Sequence, residues 1–505
     1  MSSQRHQQHL SSYLKGKRNS PSKNSSNPRP DASGRGLPRS IATTASTGRK
    51  NDEKTVPARP QNKIRPEYRV KLEKNADHIN RTPDEILFKI FKFITPSQIL
   101  ACAQVCSRWS LLLQDRKLWE GIFPRFPLEL RKLFTFEETR EEGFDWKKEI
   151  IQRCIKARKS KFLSLKKKFN PYTGLLADVQ KNLKTLSIQW RLCFTDTRGQ
   201  THWSTAEETT YFASSLSTRW LSLQLPPLTK LKEMKLFACV PVFFNKLWRP
   251  HTKSATTRSL MLQYDFKAKD TVLKKDKADM ESDMISAHFL PPGLLVTCWT
   301  ASWKDGGELA FVTACLSYHQ LLERVMLGSS TMIYKAPSHQ PIFDDVDPQY
   351  GLHGYSAMVE LKNHKSSYWS QQFRELYHNG FTPDSVILRG LGNEYGVFSK
   401  KLSLPWKTEL FRNILQNTCL FDMTVIDEHR RAVWCVSSPV LIHINKESSV
   451  NYSADGECFY IEHCDDQGSI RMDFVWNSME EQTRVADVEF RIKKSSVNSW
   501  FGTSY

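Results

Sequence analysis

The sequence has few of the features that mark secreted, membrane-spanning or metal-binding chains. It contains 11 cysteines in 505 residues, and no two of them stand at the Cys-x-x-Cys spacing of zinc knuckles and redox motifs. No hydrophobic leader opens the chain, and its apolar runs reach only about half of the roughly 20 residues that a membrane-spanning helix needs. We therefore expect no transmembrane helix and no membrane partner, and a reducing location, the cytoplasm or the nucleus.

Recognisable catalytic motifs are also scarce. The glycines of Gly390-x-Gly392-x-x-x-Gly396 lack the spacing of a dinucleotide-binding turn. The neighbours His463 and Cys464 point to opposite faces of a strand and cannot form a base–nucleophile pair. The acidic run Asp344–Asp347 is more typical of a turn than of a metal site. We predict no catalytic residue, no metal and no cofactor, although an active site assembled from distant residues stays an open alternative.

The N-terminal segment, residues 1–76, is polar and basic. Its first 74 residues hold 17 basic and 5 acidic side chains, so most of the net charge of +20 lies there. Without an apolar period, such a segment buries too little surface to offset the entropy of ordering. The sequence predicts a disordered basic tail, with a nuclear-import or nucleic-acid contact as the alternative.

Residues 77–125 have a different character, that of a small helical module. Thr82-Pro83-Asp84-Glu85 has the pattern of a capping box with Pro83 in the first turn, and Thr95-Pro96-Ser97-Gln98 repeats the pattern. The apolar residues between them fall within an arc of about 140° on a helical wheel. Three short helices in some forty residues make a small core, so the module is expected to have a partner.

The same residues resemble a known family. Pro83-x-Glu85-Ile86-Leu87-x-x-Ile90-Phe91, Leu100, Val105-Cys106-x-Arg108-Trp109 and Leu118-Trp119 are similar to the F-box, which docks on the Skp adaptor of cullin-RING ubiquitin ligases. Thr82 departs from the pattern, since the family usually has leucine there. The resemblance implies eleven residues that divide between adaptor contact and internal packing, in proportions the sequence does not reveal: Pro83, Ile86, Leu87, Ile90, Phe91, Leu100, Val105, Cys106, Trp109, Leu118 and Trp119.

Residues 126–169 are predicted to be a helical linker. Lys147–Lys168 contains ten basic residues and one acidic one, interleaved with apolar residues such as Ile151, Ile155 and Phe162 at steps of three and four. This spacing indicates an amphipathic helix. We expect its apolar face to pack between the helical module and the region after residue 169, with the lysine side chains solvated. A cationic stripe that binds an acidic partner is the alternative.

Residues 170–505 are rich in candidate strands. Thirteen short runs of alternating or apolar residues are separated by Gly, Pro, Asn and Asp turns, which indicates one large antiparallel barrel or sandwich, or two smaller ones. Trp220–Leu225 is among these runs. Short helices are predicted over Ser317–Met326 and Lys407–Asn417. No period of 20 to 50 residues repeats, which excludes propellers and solenoids.

Together these segments predict an α+β protein: a disordered tail, a small helical F-box, an amphipathic linker helix and a large antiparallel β-rich region. The resemblance implies a non-catalytic substrate-recognition adaptor of an SCF (Skp-cullin-F-box) ubiquitin ligase. Its expected partners are the Skp adaptor, the cullin and RING protein joined through it, and a protein substrate of unknown identity. A nucleic-acid-binding protein that uses the tail and the Lys147–Lys168 stripe is the less favoured alternative.

Overall fold

The computed structural model shows helices at the start of the described chain and antiparallel strands through the rest. Residues Asp77–Tyr505 form a unit separate from Met1–Ala76, the predicted tail, which lies outside the described residues. The described residues are 79, 81–125, 143–164, 169–170, 173–244, 255–266, 277–278, 285–290, 293–299, 308–337, 349–390, 395–399, 401–407, 412–415, 417–444 and 456–505.

Eight α-helices and 22 strands are defined within these residues. The helices are α1 (Asp84–Phe91), α2 (Pro96–Cys102), α3 (Ser107–Leu112), α4 (Arg116–Ile122), α5 (Trp146–Ser164), α6 (Val179–Thr185), α7 (Leu321–Leu327) and α8 (Lys494–Phe501), and short 3-10 turns span Phe123–Arg125 and Leu228–Lys230. Within the described part of the chain, no helix has the length and apolar character required to span a membrane.

The strands fall into two groups along the chain. The first group is β1 (Gln189–Asp196), β2 (Thr201–Thr205), β3 (Glu208–Tyr211), β4 (Ser215–Trp220), β5 (Leu231–Pro241), β6 (Thr256–Asp265), β7 (Lys277–Ala278), β8 (Ile285–Leu290), β9 (Leu294–Trp299) and β10 (Glu308–Ser317). The second group is β11 (Ser356–Lys362), β12 (Ser367–Phe373), β13 (Tyr377–Phe381), β14 (Ser385–Arg389), β15 (Val397–Phe398), β16 (Leu404–Lys407), β17 (Arg412–Leu415), β18 (Thr418–Ile426), β19 (Ala432–Ile444), β20 (Gly456–Cys464), β21 (Gly468–Asn477) and β22 (Gln482–Lys493).

Of the two predicted capping boxes, one is confirmed and one is wrong. At α2, Thr95 Oγ1 accepts from the backbone N–H of Gln98, and the Gln98 side chain accepts from the backbone N–H of Thr95. At α1 the residue before the first helical turn is Pro83, with no side-chain cap. Thr82 therefore lies one residue too early to cap, and its carbonyl instead accepts from Arg108 at 2.6 Å.

The first β half, residues 173–337, is built from two sheets. A four-stranded sheet has the order β2-β1-β5-β6, and a six-stranded sheet has the order β3-β4-β10-β9-β8-β7. Their facing sides enclose a hydrophobic core that also takes in residues of α6 and α7. This arrangement buries the facing side of each sheet. Every residue of β4 is buried, so the six-stranded sheet is also covered on its other face.

The second β half, residues 349–505, is dominated by one large sheet. Its strand order is β12-β11-β18-β19-β20-β21-β22-β14-β13, with β15 also paired to β22, and α8 packs against its core. A smaller cluster joins residues of β9 and β10 to Leu404, Leu415 and Leu420 of this half. Of the two predicted β architectures, the structure therefore shows two smaller cores that share a contact, rather than a single large one.

Close approach of the two halves depends on one glycine. Gly293 precedes β9 with φ of +75°, and a Cβ there would lie 2.6 Å from the carbonyl oxygen of Ser437 and 2.7 Å from that of Cys315. A side chain would collide with backbone on both sides. Only glycine fits the conformation and the space at this position.

Two predicted elements differ from the structure. The predicted strand Trp220–Leu225 ends at its first residue, because β4 finishes at Trp220. The helix predicted over Lys407–Asn417 is wrong, since Arg412–Leu415 pairs with Leu404–Lys407 as a hairpin. Local spacing of Leu410 and Ile414 fits a helix, but pairing with Leu404–Lys407 satisfies the backbone and buries Leu415 against the first half. The prediction of a short helix near Ser317–Met326 is confirmed by α7.

Candidate functional site

Helix α1 carries two rows of apolar residues, one buried and one exposed. Leu87 and Phe91, four residues apart, are buried in the core of the helical module. Ile86 and Ile90, also four residues apart, are 44% and 50% exposed. Residues at i and i+4 lie above one another on a helix. The apolar arc predicted from the sequence is therefore divided into an inner row that holds the module together and an outer row open to contact.

The inner row packs on aromatic residues of α3 and α4. Phe91 meets Trp109 edge-to-face with ring centroids 5.3 Å apart. Trp119 is buried and donates its indole N–H to the Leu113 carbonyl oxygen at 2.8 Å. Leu118 is buried beside it. These contacts fix the position of the outer row without using it.

Burial separates the eleven residues predicted from the F-box resemblance. Leu87, Phe91, Leu118 and Trp119 are buried; Leu100, Cys106 and Trp109 are half-buried; Pro83, Ile86, Ile90 and Val105 are exposed. Cys106 has a local role, because its sulfur accepts from the backbone N–H of Trp109 at 3.5 Å and caps α3. The structure thus supplies the division that the sequence left open, and adaptor contact by the exposed group stays a prediction.

Further exposed apolar residues in this module were not predicted. Phe93 is 80% exposed and Leu111 is 75% exposed, and the predicted site residue Val105 is 65% exposed. Among the described residues, 17 large apolar side chains are exposed, and six of these fall between Ile79 and Leu111. Single exposed apolar residues are ordinary, but such a concentration is typical of an interaction surface. Sequence motifs identify Val105, whereas Phe93 and Leu111 carry no signal beyond being apolar.

Arg108 ties the start of α1 to α3. Its Nε donates to Asp84 Oδ1 at 2.8 Å, and another guanidinium nitrogen donates to the Thr82 carbonyl at 2.6 Å. The pair is partly exposed, so its contribution to stability is small. Its effect is to hold the first turn of α1, and with it Ile86, at a fixed angle to α3.

Helix α5 connects the helical module to the first β half. Trp146 and Ile150 near its start belong to the module's core, and Phe162 near its end belongs to the core of the first β half. The predicted packing of this helix between the two parts is confirmed. A helix embedded in two cores acts as a spacer of fixed length.

Two arginines of α5, Arg153 and Arg158, are buried, whereas none of its described lysines is. Arg153 stacks 4.7 Å from the Phe123 ring centroid and pairs with Glu149 at 2.6 Å. Arg158 donates to the carbonyl oxygens of Val240 and Pro241, and to Thr257 Oγ1 at 2.9 Å. Burial lowers the pKa of Arg158 to about 10, which leaves it charged at neutral pH. These two arginines therefore anchor α5 to the neighbouring elements.

Replacing Arg158 by methionine is expected to loosen α5 from β5. The change removes hydrogen bonds from a charged donor, each contributing about 1.5–3 kcal/mol, and takes the Arg158 donor away from the Pro241 carbonyl, whereas the Val240 carbonyl still accepts from Thr257 Oγ1 at 3.3 Å. We expect a local loss of about 3 kcal/mol, which is roughly a hundredfold faster amide exchange in α5 and β5. Hydrogen exchange followed by mass spectrometry measures it. Lys148→Met, at an exposed position of the same helix, is the control, and equal exchange in both variants would contradict the anchoring role.

The constellations considered for catalysis have structural roles where they are described. Asp465 follows β20, accepts from the backbone N–H groups of Gln467 and Gly468, and accepts from the Trp434 indole N–H at 2.9 Å, which confirms a strand-end turn after His463-Cys464. A base-activated cysteine at Cys435, which the sequence places in the same predicted hairpin as His429, is a further alternative, and burial raises the pKa of this thiol to about 12, which keeps it protonated at neutral pH. The acidic run Asp344–Asp347 lies outside the described residues. Among described side chains, no three His, Cys, Asp or Glu residues gather as a metal site would require.

Comparison with known proteins identifies the helical module and extends the similarity beyond it. Residues 79–125 match the F-box-like family model. The chain is 29% identical over 445 residues to F-box only protein 15 of Homo sapiens, covering 84% of this chain and 85% of that protein. It is 28% identical to F-box only protein 15 of Macaca fascicularis, covering 84% of this chain and all of that protein. F-box/LRR-repeat protein 5 of Salmo salar is 40% identical over 55 residues, 10% of this chain and 8% of that protein.

Proposed function

Because the chain carries an F-box-like domain at residues 79–125 and has F-box only protein 15 homologues over most of its length, we propose that it is the substrate-recognition adaptor of an SCF ubiquitin ligase. In this proposal the helical module binds the Skp-type adaptor, which joins the chain to a cullin and a RING protein. The β-rich region holds a protein substrate. Ubiquitin transfer itself is performed by other subunits.

The observation that carries this proposal is the exposed row of Ile86 and Ile90. Both side chains lie on a helix whose opposite stripe is locked into a core, so they are presented on a rigid surface. Burying an isoleucine contributes about 1.5–3 kcal/mol. Val105, exposed in the turn before α3, adds apolar surface in the same module. An apolar surface on a preformed helix suits docking against helices of a partner.

The proposed mechanism is tethering. A substrate held on the β-rich region sits at high effective concentration near the ubiquitin-conjugating enzyme carried by the cullin. That effect requires a spacer of fixed length between the two binding parts. Helix α5, embedded in both cores and anchored by Arg158, provides such a spacer. No nucleophile of this chain takes part.

Co-expression of the full chain with a Skp-type adaptor and a cullin tests the proposal. We expect both to co-purify with the chain in equal molar amounts, and the cullin to be lost when the adaptor is omitted. The second condition separates docking through the adaptor from nonspecific capture. A folded chain that retains neither protein would refute the proposed function.

The alternative of nucleic-acid binding gains no support from the described residues. Arg153 and Arg158, two of the cations in the predicted stripe, are buried and paired.

We further propose that the protein acts in the cytoplasm or nucleus. The ten cysteines whose side chains are described are free thiols, as expected in a reducing compartment.

A further inference from the structure

The outward face of the four-stranded sheet carries an aromatic residue flanked by two arginines. Trp203 of β2 is 38% exposed and lies 5.5 Å, between ring centroids, from Phe237 of β5. The guanidinium carbon of Arg191 is 5.2 Å from the Trp203 ring centroid, and that of Arg258 is 5.4 Å away. We call Arg191, Trp203 and Arg258 the Arg–Trp–Arg patch. The sheet brings these residues together from β1, β2 and β6.

Neither arginine of the patch has an acidic partner among the described residues. The strand register places Arg191 opposite Phe237 and Arg258 opposite Cys239, so their cross-strand neighbours are uncharged. The Nε of Arg191 is buried without a hydrogen-bond partner in this part of the chain. Stacking on the indole fixes both guanidinium groups, and the donors other than the buried Nε of Arg191 are free of acidic partners in this part of the chain. Two preorganised and unpaired cations at one ring form an anion-recognition site.

The opposite end of this face has a different charge. Glu233 and Asp265 face each other across β5 and β6, and Glu233 pairs with Lys235 at 2.8 Å. A nucleic-acid backbone, with a negative charge at every step, would meet these carboxylates as it crossed the sheet. A short acidic peptide segment would not meet these carboxylates, because it needs to contact only the end of the face that carries Arg191 and Arg258.

From this charge distribution we propose that the Arg–Trp–Arg patch binds an acidic segment of a protein, with carboxylate side chains on Arg191 and Arg258 and an apolar or aromatic side chain against Trp203. Guanidinium groups bind carboxylates through paired hydrogen bonds, and a Trp–Arg surface is typical of residues that dominate binding energy. This proposal rests on the proposed adaptor function. It adds the chemical class of the substrate segment that the first β half would hold.

Fluorescence anisotropy of a labelled peptide tests the assignment. The probe is a short peptide of aspartate and tyrosine residues, titrated with the full chain. We expect binding that weakens with salt and is lost when asparagine replaces aspartate. The double variant Arg191→Gln with Arg258→Gln is expected to raise the Kd at least about tenfold. Arg258→Gln alone, at an exposed position, is expected to raise it by at least about threefold and guards against misfolding of the double variant.

A matched control is available in the second β half. Arg471 also stacks on an aromatic ring, 4.2 Å from the Tyr460 centroid, but it is already paired with Asp473 at 3.1 Å. Arg471→Gln should leave peptide binding unchanged. Equal binding by the patch variants, equal binding of the asparagine peptide, binding of a phosphoserine peptide alone, or equally tight binding of single-stranded DNA would each overturn the inference. Binding of the Skp-type adaptor is measured on the same preparations. A chain that binds the adaptor but not the peptide contradicts this proposal and leaves the proposed function intact.

Discussion

Replacing Ile86 and Ile90 together by aspartate is expected to abolish capture of the Skp-type adaptor while the chain stays folded. Both side chains are about half exposed on α1, so the folded chain alone tolerates the change. In the complex, each loses up to about 1.5–3 kcal/mol of apolar burial and adds a charge that must be desolvated. The combined loss is about 3–6 kcal/mol, which weakens binding by at least about a hundredfold. Titration calorimetry of the purified full chain with the adaptor measures this directly.

The controls separate a lost contact from a lost fold. Met479→Asp introduces the same charge at an 87% exposed apolar residue in the turn between β21 and β22, and adaptor affinity should not change. Leu87→Asp places a charge in the module's core and should unfold the module, which circular dichroism and limited proteolysis would report. If the Ile86/Ile90 variant binds the adaptor as tightly as the Met479 variant does, α1 is not the docking surface.

The location of this surface could be predicted from the sequence, but its composition could not. The F-box pattern predicts a helix that starts near Pro83 and marks Ile86, Leu87, Ile90 and Phe91, although the capping box predicted there is wrong. All four residues are apolar and lie in one arc, so periodicity alone assigns them to the same face. In the structure Phe91 packs against the Trp109 ring, whereas Ile90 is 50% exposed. That contact joins residues 18 apart in the chain and is a property of the packed module.

Contacts between residues far apart in the chain also explain why burial of Arg158 and pairing of β16 with β17 could not be predicted from the sequence. Arg158 belongs to a run of basic residues, and a basic run normally indicates a solvated face. It is buried because β5 ends beside α5 and presents the carbonyl oxygens of Val240 and Pro241, to which the guanidinium donates. The antiparallel β class could be predicted from alternation and turn residues, whereas the hairpin of β16 and β17 could not. Its pairing is decided by the neighbouring β half, where Leu415 packs.

A second large effect is expected at a buried ion pair where the two β halves meet. Lys362 of β11 contacts Asp422 of β18, and both side chains are almost fully buried. Asp422 also accepts from Ser437 at 2.7 Å, and from Ser215 at 2.6 Å and Ser214 at 3.1 Å of the first β half. The Lys362 ammonium lies 4.4 Å from the Phe212 ring centroid. One carboxylate therefore links donors from both halves.

Removing either partner of this pair leaves an uncompensated buried charge. Lys362→Met and Asp422→Leu are each expected to destabilise the chain by about 3–5 kcal/mol. Hydrogen exchange should rise in β4 and β18 together, because the two strands share the same carboxylate through Ser215. Urea unfolding of the full chain measures the overall loss.

The double variant shows whether the ion pair adds net stability to the fold or only compensates the cost of burying each charge. Replacing a buried ion pair by apolar residues of similar volume is often close to neutral, so Lys362→Met with Asp422→Leu should be destabilised by less than the sum of the two single changes. The exposed pair of Lys401 and Glu457, 3.5 Å apart, provides the control, and the same cycle there should give a coupling below about 1 kcal/mol. Additive losses at Lys362 and Asp422 would mean that the serines, rather than the lysine, hold the carboxylate. The contact between the halves would then depend on hydroxyl donors from Ser214 and Ser215, and Ser215→Ala would reproduce most of the effect of Asp422→Leu.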